Sequence, residues 1–278
     1  MIHCTTAAIV LHRRSYGDYD FILTMLTREQ GKRTLIAKSA RKSTKRFPGI
    51  LEPFADLEIV YRWSKNKGLP VLEEAVLLRP FGGIRGNIIK TAYASYWSEL
   101  VSLWVEEGQV LTRVYDLLEF ALTALSEDEL PAALLSIMFQ MRFIGQEGLQ
   151  PVLERCACCQ AEIERMSQQH FCVDLTRGGI ICGQCPIHQK PGPLRLSKGT
   201  LKQLQWVIEG DLVKARRVRF GREALVEATR FVEIYVPYHV GRVPKSLQFL
   251  QQVRPMQTVG KENHRHERSK EYTGPGGN

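Results

Sequence analysis

The 278-residue chain has no apolar run approaching the roughly 20 residues that cross a bilayer. The apolar stretch from Ala7 to Leu11 is too short for a secretory leader and follows no basic segment, so a cytosolic protein is expected. Several catalytic signatures are also missing. No phosphate-cradling glycine loop is present, no His-Glu pair accompanies a cysteine hook, and no acidic cluster is placed to hold two magnesium ions. These absences argue against a nucleotidase, a zinc deaminase and a two-metal nuclease, and we expect no enzyme. With 44% apolar and 24% charged residues, the composition is that of a folded protein.

Acid is scarce in one stretch. From Arg28 to Arg46 there are eight Lys or Arg against the single acid Glu29, within a chain of formal net charge +9. Leu35 and Ile36 lie between Lys32-Arg33 and Lys38, and Ser39, Ser43 and Thr44 follow, which reads as a strand running into a basic loop. Fixed cations on a folded platform release counterions when they meet phosphates, the dominant and salt-sensitive term in nucleic-acid binding. A solvated charged loop is the plainer alternative. Residues 1–80 balance at +6, residues 87–150 at −6 and residues 195–222 at +6. Nucleic acid is therefore expected at both ends, with the acidic middle supporting them or meeting a different partner.

The first eighty residues carry five strand signals: Thr6 to Arg13, Asp20 to Thr27, Gly31 to Lys38, Asp56 to Trp63 and Pro70 to Leu78. In the fourth, Leu57, Ile59 and Tyr61 alternate with Asp56, Glu58 and Arg62. Five short strands fit a small barrel, and the five-strand barrel that takes nucleic acid is the OB-fold. After Pro80-Phe81-Gly82-Gly83 the period changes to helical. Apolar positions run through Tyr93, Trp97, Leu100, Val101 and Trp104, then Val110 to Leu125, then Leu134 to Met141. Pro131 suits a first helical turn and Gly148 an end. The aromatics Tyr93, Trp97 and Trp104 read as helical core or as a binding groove. Leu201 to Ile208, Arg222 to Tyr235 and Ser246 to Gln251 read as further helices. From Gln257 the chain is polar and aperiodic, a tail expected to be disordered, with His264 and His266 solvated.

All but one of the seven cysteines fall between Cys156 and Cys185. Cys156-Ala157-Cys158-Cys159 and Cys182-Gly183-Gln184-Cys185 form two C-x-x-C hooks separated by 22 residues. Four thiolates saturate a tetrahedral zinc ion, and a saturated site is structural. We assign Cys156, Cys159, Cys182 and Cys185 to one zinc and leave Cys158 as a bystander. Cys172, His170 and His188 are substitutes that would distort the spacing, and buried free thiols or a redox pair are the alternative. Gly178-Gly179 supplies a turn, with Phe171 to Asp174 and Ile180-Ile181 as the strands of a zinc hairpin.

The segment AKSARKSTKRFPGILEPFADLEIVYR and the hook GGIICGQCP, in this order of parts, resemble the RecO family of bacterial recombination and repair proteins from the first strand to about Val253. The resemblance implies an α+β, multidomain chain. Its parts are an OB-fold barrel (1–80), a helical domain (81–153), an inserted four-cysteine zinc finger (154–190), the helical domain continued (191–256) and a tail (257–278). It implies a non-catalytic, cytoplasmic and nucleoid-associated protein that binds single- and double-stranded DNA and anneals complementary strands. With RecR it would help load RecA on DNA coated by single-strand-binding protein, whose acidic C-terminal tail is a further partner. DNA contacts carry over to Lys32, Arg33, Lys38, Arg41, Lys42, Lys45 and Arg46, with Lys65 and Lys67 as weaker candidates. Tyr16, Tyr19, Phe47 and Trp63 are stacking candidates or barrel core. Some family members lack intact zinc ligands, whereas this chain keeps both hooks. A zinc-containing RNA-binding protein is the rival reading, since basic barrels read both nucleic acids.

Overall fold

Strand β1, His3–Tyr16, is long enough to serve two neighbours. Its first half pairs antiparallel with β4 (Asp56–Arg62) and its second half with β2 (Asp20–Thr27). The register shifts between Val10 and His12, a bulge that bends the strand from one partner to the other. With β3 (Gly31–Ala37) and β5 (Val71–Arg79) the strands close in the order β1-β2-β3-β5-β4. Closure rests on one parallel pair, Ile36 with Val71, and on the Ile36 amide donating to the Pro70 carbonyl at 2.9 Å. The computed structural model describes residues 3–63, 68–186, 194–209 and 219–254. Lys65, Lys67, His188, His264, His266 and the tail from Gln257 lie outside them.

Inward alternation fills the barrel with Ala8, Val10, Leu23, Met25, Leu35, Leu57, Ile59, Tyr61 and Leu72. Asp56 departs from the expected polar face of β4. It is buried, accepts the Tyr115 hydroxyl at 2.6 Å and lies 3.6 Å from Arg79. A buried carboxylate is tolerated only with such partners, and here they tie the barrel to the second of three long helices.

After the short turn α1 (Gly82–Arg85) come α2 (Ile88–Trp104), α3 (Thr112–Ser126) and α4 (Ala132–Gln146). Tyr93 and Trp97 are buried and Trp104 is half-buried, so the aromatic stripe is core. Trp97 donates to Ser136 Oγ at 3.2 Å, and Tyr96 donates to Gln140 at 2.7 Å. Pro131 caps α4 from outside the helix instead of sitting in its first turn, and Val110 is exposed ahead of α3. The same apolar cluster takes in Ile9, Leu11, Leu26 and Phe54 from the barrel and Phe171, Val173 and Ile180 from the cysteine region. At the barrel end of this junction only glycine fits at residue 31. Its φ is +71°, and a Cβ there would lie 2.1 Å from the Gln109 carbonyl oxygen.

Strands β6 (His170–Asp174) and β7 (Gly179–Ile181) form the expected hairpin, and β8 (Arg195–Ser197) adds a third strand on β6. Helices α5 (Lys198–Glu209), α6 (Arg222–Val240) and α7 (Lys245–Val253) complete the core. The α6 helix continues past the expected end at Tyr235 and through Pro237. The buried side chains Phe231, Val232, Tyr235 and Val236 offset the one hydrogen bond that proline removes, and Gly241, at φ 83°, stops the helix.

Glu99 of α2 caps α7 by accepting the amides of Lys245 (3.1 Å) and Ser246 (2.8 Å) together with the Ser246 hydroxyl. Burial pushes the Glu99 carboxyl up, but the Ser246 hydroxyl, these amides and His12 outweigh it and hold the pKa below the ordinary glutamate value. A depressed carboxyl stabilises the fold above its unfolded pKa, and that contribution is lost as pH falls through the folded pKa. Glu99→Gln should cost about 1 kcal/mol near pH 7, as helix caps do. In urea denaturation the difference from wild type should shrink as the pH drops below the ordinary glutamate range. An unchanging difference would contradict this capping role.

Candidate metal centre and nucleic-acid interface

The two hooks meet. The Sγ atoms of Cys156, Cys159, Cys182 and Cys185 all lie within 4.8 Å of one another. Three edges of the set measure 3.8 Å (Cys156–Cys185), 3.7 Å (Cys159–Cys182) and 3.6 Å (Cys182–Cys185). A tetrahedral ion with metal–sulfur bonds of about 2.3 Å requires sulfur–sulfur edges of about 3.8 Å, so the donor set fits such an ion. Local backbone makes the geometry. The Cys158 and Cys182 amides point at Cys156 Sγ from 3.4 and 3.3 Å. Gly179 lets β7 pass Val152 and the first hook, since a Cβ there would sit 2.8 Å from the Val152 carbonyl oxygen and 3.1 Å from Ala157 Cβ.

Burial pushes the Cys156 thiol up, but amides of residues 159, 182 and 158 outweigh it and bring the pKa down to about 6. At Cys182 and Cys185 burial dominates and the pKa is raised. A dication between the sulfurs would offset the thiolate charge that burial otherwise opposes. Cys158 packs half-buried against the cluster without joining the four. Cys172 is buried on β6 opposite Ile181, and His170 is exposed on the same strand.

The connection between β3 and β4 carries the basic loop. Ala40, Phe47 and Leu51 are buried in the barrel cluster and pin the loop at three points. Phe47, 2% exposed, is therefore core and unavailable for stacking. Arg13 of β1 holds the far end by donating to Glu52 at 2.7 Å and to the Leu51 carbonyl at 3.3 Å. Arg41, Lys42, Lys45 and Arg46 between these anchors, and Lys38 just ahead of them, are all exposed. The loop also locks onto the β1–β2 turn. The Arg41 amide donates to the Tyr19 carbonyl and the Arg41 guanidinium to the Asp18 carbonyl, both at 3.0 Å, while the Ser39 amide reaches Asp20 at 2.7 Å. Lys42 Nζ lies 3.5 Å from the centroid of the Tyr19 ring.

Lys32 and Arg33 are placed differently from the other five. Lys32 donates to the Ser102 carbonyl at 2.7 Å in the last turn of α2, where a cation complements the helix dipole. Burial lowers its pKa, against the pull of Glu107 and Glu106. The Arg33 guanidinium lies 5.2 Å from the Trp63 ring centroid. Arg28 pairs with Asp116 at 3.1 Å, and Arg79 pairs with Glu119. The acidic middle of the chain thus pairs with half-exposed Arg28 and Arg79 and draws on Lys32, while the other five cations lie on the loop. Sequence reasoning did not find this division, because every partner lies far along the chain.

Comparison with known proteins shows the family. The profile described as "Recombination protein O N terminal" matches residues 1–81, and the one described as "Recombination protein O C terminal" matches residues 85–248. A "DNA repair protein RecO" from Desulfatibacillum aliphaticivorans is 42% identical over 251 residues, covering 90% of this chain and 97% of that protein. Another so named, from Desulfosudis oleivorans, is 43% identical over 258 residues, covering 90% and 98%. One from Anaeromyxobacter dehalogenans is 33% identical over 249 residues, covering 89% and 96%. With an OB-type barrel, a helical core and a four-cysteine cluster in one chain, and relatives aligned over nearly their whole length, this protein belongs to the RecO family.

Proposed function

We propose that the chain is a DNA-binding recombination mediator in repair. It binds single- and double-stranded DNA, anneals complementary strands and, with RecR, helps load RecA on DNA coated by single-strand-binding protein. The observation that carries this reading is the loop of five exposed cations pinned on a closed barrel by three buried side chains. Phosphate contacts of this kind position a backbone without reading sequence. Lys38, Arg41, Lys42, Lys45 and Arg46 form the contact surface. Lys32 and Arg33 support it from the barrel wall. One zinc ion at Cys156, Cys159, Cys182 and Cys185 plays a structural part, and no catalytic step is assigned to any residue. No described helix is long and apolar enough to cross a membrane, and we place the protein with the nucleoid in the cytoplasm.

The partner's acidic C-terminal tail needs an apolar recess beside a cation. A groove of about 510 Å³ along α6 and α7 offers both, with Leu225, Val226 and Ile234 beside Arg230, while Arg254 at the same groove is paired with Glu233 at 2.6 Å. Annealing of naked complementary strands should speed up without nucleotide or divalent metal. On coated strands it should require the partner's tail, since complementary charge recruits. Strand annealing with full-length and tail-truncated partner, at one salt concentration, tests this. Indifference to the tail would remove tail-mediated recruitment, and strict dependence on ATP or magnesium would point to an enzyme. Filter binding of single-stranded DNA, duplex DNA and structured RNA at matched salt tests the nucleic-acid reading itself. Preference for structured RNA would favour the zinc-containing RNA-binding alternative.

A further inference from the structure

The β1–β2 turn places an aromatic ring against the basic loop. Gly17, at φ +55°, turns the chain between Tyr16 and Tyr19, and no atom would crowd a Cβ at that position, so the backbone conformation alone calls for glycine. Tyr19 is 44% exposed although the Lys42 ammonium lies 3.5 Å from its ring centroid. The turn cannot drift from the loop, because the Arg41 amide and guanidinium hold the Tyr19 and Asp18 carbonyls. The other aromatics near the barrel surface are less suited. Phe47 is buried, Trp63 is 40% exposed but meets Tyr61 edge-on, and Tyr16, 56% exposed on the same turn, has no cation against its ring among the described residues.

We propose that Tyr19 is the stacking platform for an unpaired base, with Lys42 as its cationic backing, and that this pair gives the loop its selectivity for single strands. The inference rests on the nucleic-acid reading of the same loop. A ring backed by a cation and open elsewhere accepts the π-face of any base, so stacking adds affinity without sequence preference. Bases inside a duplex keep their faces covered by neighbouring pairs. The loop cations serve both forms of DNA, and the ring serves only one.

Tyr19→Ala should weaken binding of a single-stranded oligonucleotide about tenfold, within the range that removing a base-stacking partner produces. Duplex binding should not change, and neither should the slope of log affinity against log salt, because every phosphate-binding cation is retained. Tyr19→Phe keeps the ring and should bind as wild type. An oligonucleotide of abasic sugars should bind wild type and Tyr19→Ala equally. If wild type binds single strands but Tyr19→Ala loses nothing, or loses duplex binding equally, the stacking assignment is overturned while the nucleic-acid reading stands. If wild type binds no single strand, that reading falls first.

Discussion

Replacing Lys38, Arg41, Lys42 and Arg46 together by Ala should weaken DNA binding uniformly across sequences and flatten its salt dependence. Each cation removed from a phosphate should lower the slope of log affinity against log salt by about 0.9 on duplex and about 0.7 on single strands. For all four, the slope should fall by roughly 3 to 4, which corresponds to a loss of several hundredfold or more at low salt. Folding should survive, because Ala40, Phe47 and Leu51, which pin the loop, are untouched. Deleting residues 260–278 is the matched comparison. That segment holds four basic and three acidic residues, so its net charge is +1, whereas residues 38–46 hold five basic residues and no acid. Affinity and salt slope measured on both variants separate the two regions. Equal or greater loss from the tail deletion would move the DNA site away from the loop.

Features governed by local periodicity were legible in the sequence. The alternation of Leu57, Ile59 and Tyr61 located β4, and the three- and four-residue steps through Tyr93, Trp97 and Leu100 located α2. Other features depend on partners distant along the chain. Asp56 continues the polar alternation of β4, and only Tyr115, 59 residues away, explains its burial. Lys32 reads as one more loop-side cation until the Ser102 carbonyl, 70 residues away, is in place. Phe47 sits among lysines and arginines, yet it is the apolar anchor that holds them outward. With three residues, β8 is too short to show a period at all. The cysteine spacing could be read without any of this, because each hook is a local turn. The spacing left open whether Cys158 joins the set, and the convergence of the other four sulfurs within 4.8 Å supports leaving it out.

That convergence leads to the second large effect. Reduced protein should carry one zinc per chain, and Cys182→Ser should lose it. Structural zinc binding in small fingers contributes on the order of 10 kcal/mol or more to folding, because the site does not exist in the unfolded chain. Cys182 directly follows β7, and its sulfur lies within 3.7 Å of both Cys159 and Cys185 and within 4.8 Å of Cys156, so removing it opens three edges of the tetrahedron at once. Phe171, Val173 and Ile180 from the same small sheet reach into the main apolar cluster. The loss should therefore appear as early melting of the β6–β7–β8 sheet and faster amide exchange there, with the barrel less affected. Cys158→Ser should keep both the metal and the stability. Metal analysis of the reduced protein and exchange measured on both variants decide the matter. An absence of stoichiometric metal, or its loss in Cys158→Ser with retention in Cys159→Ser, would reassign the ligands.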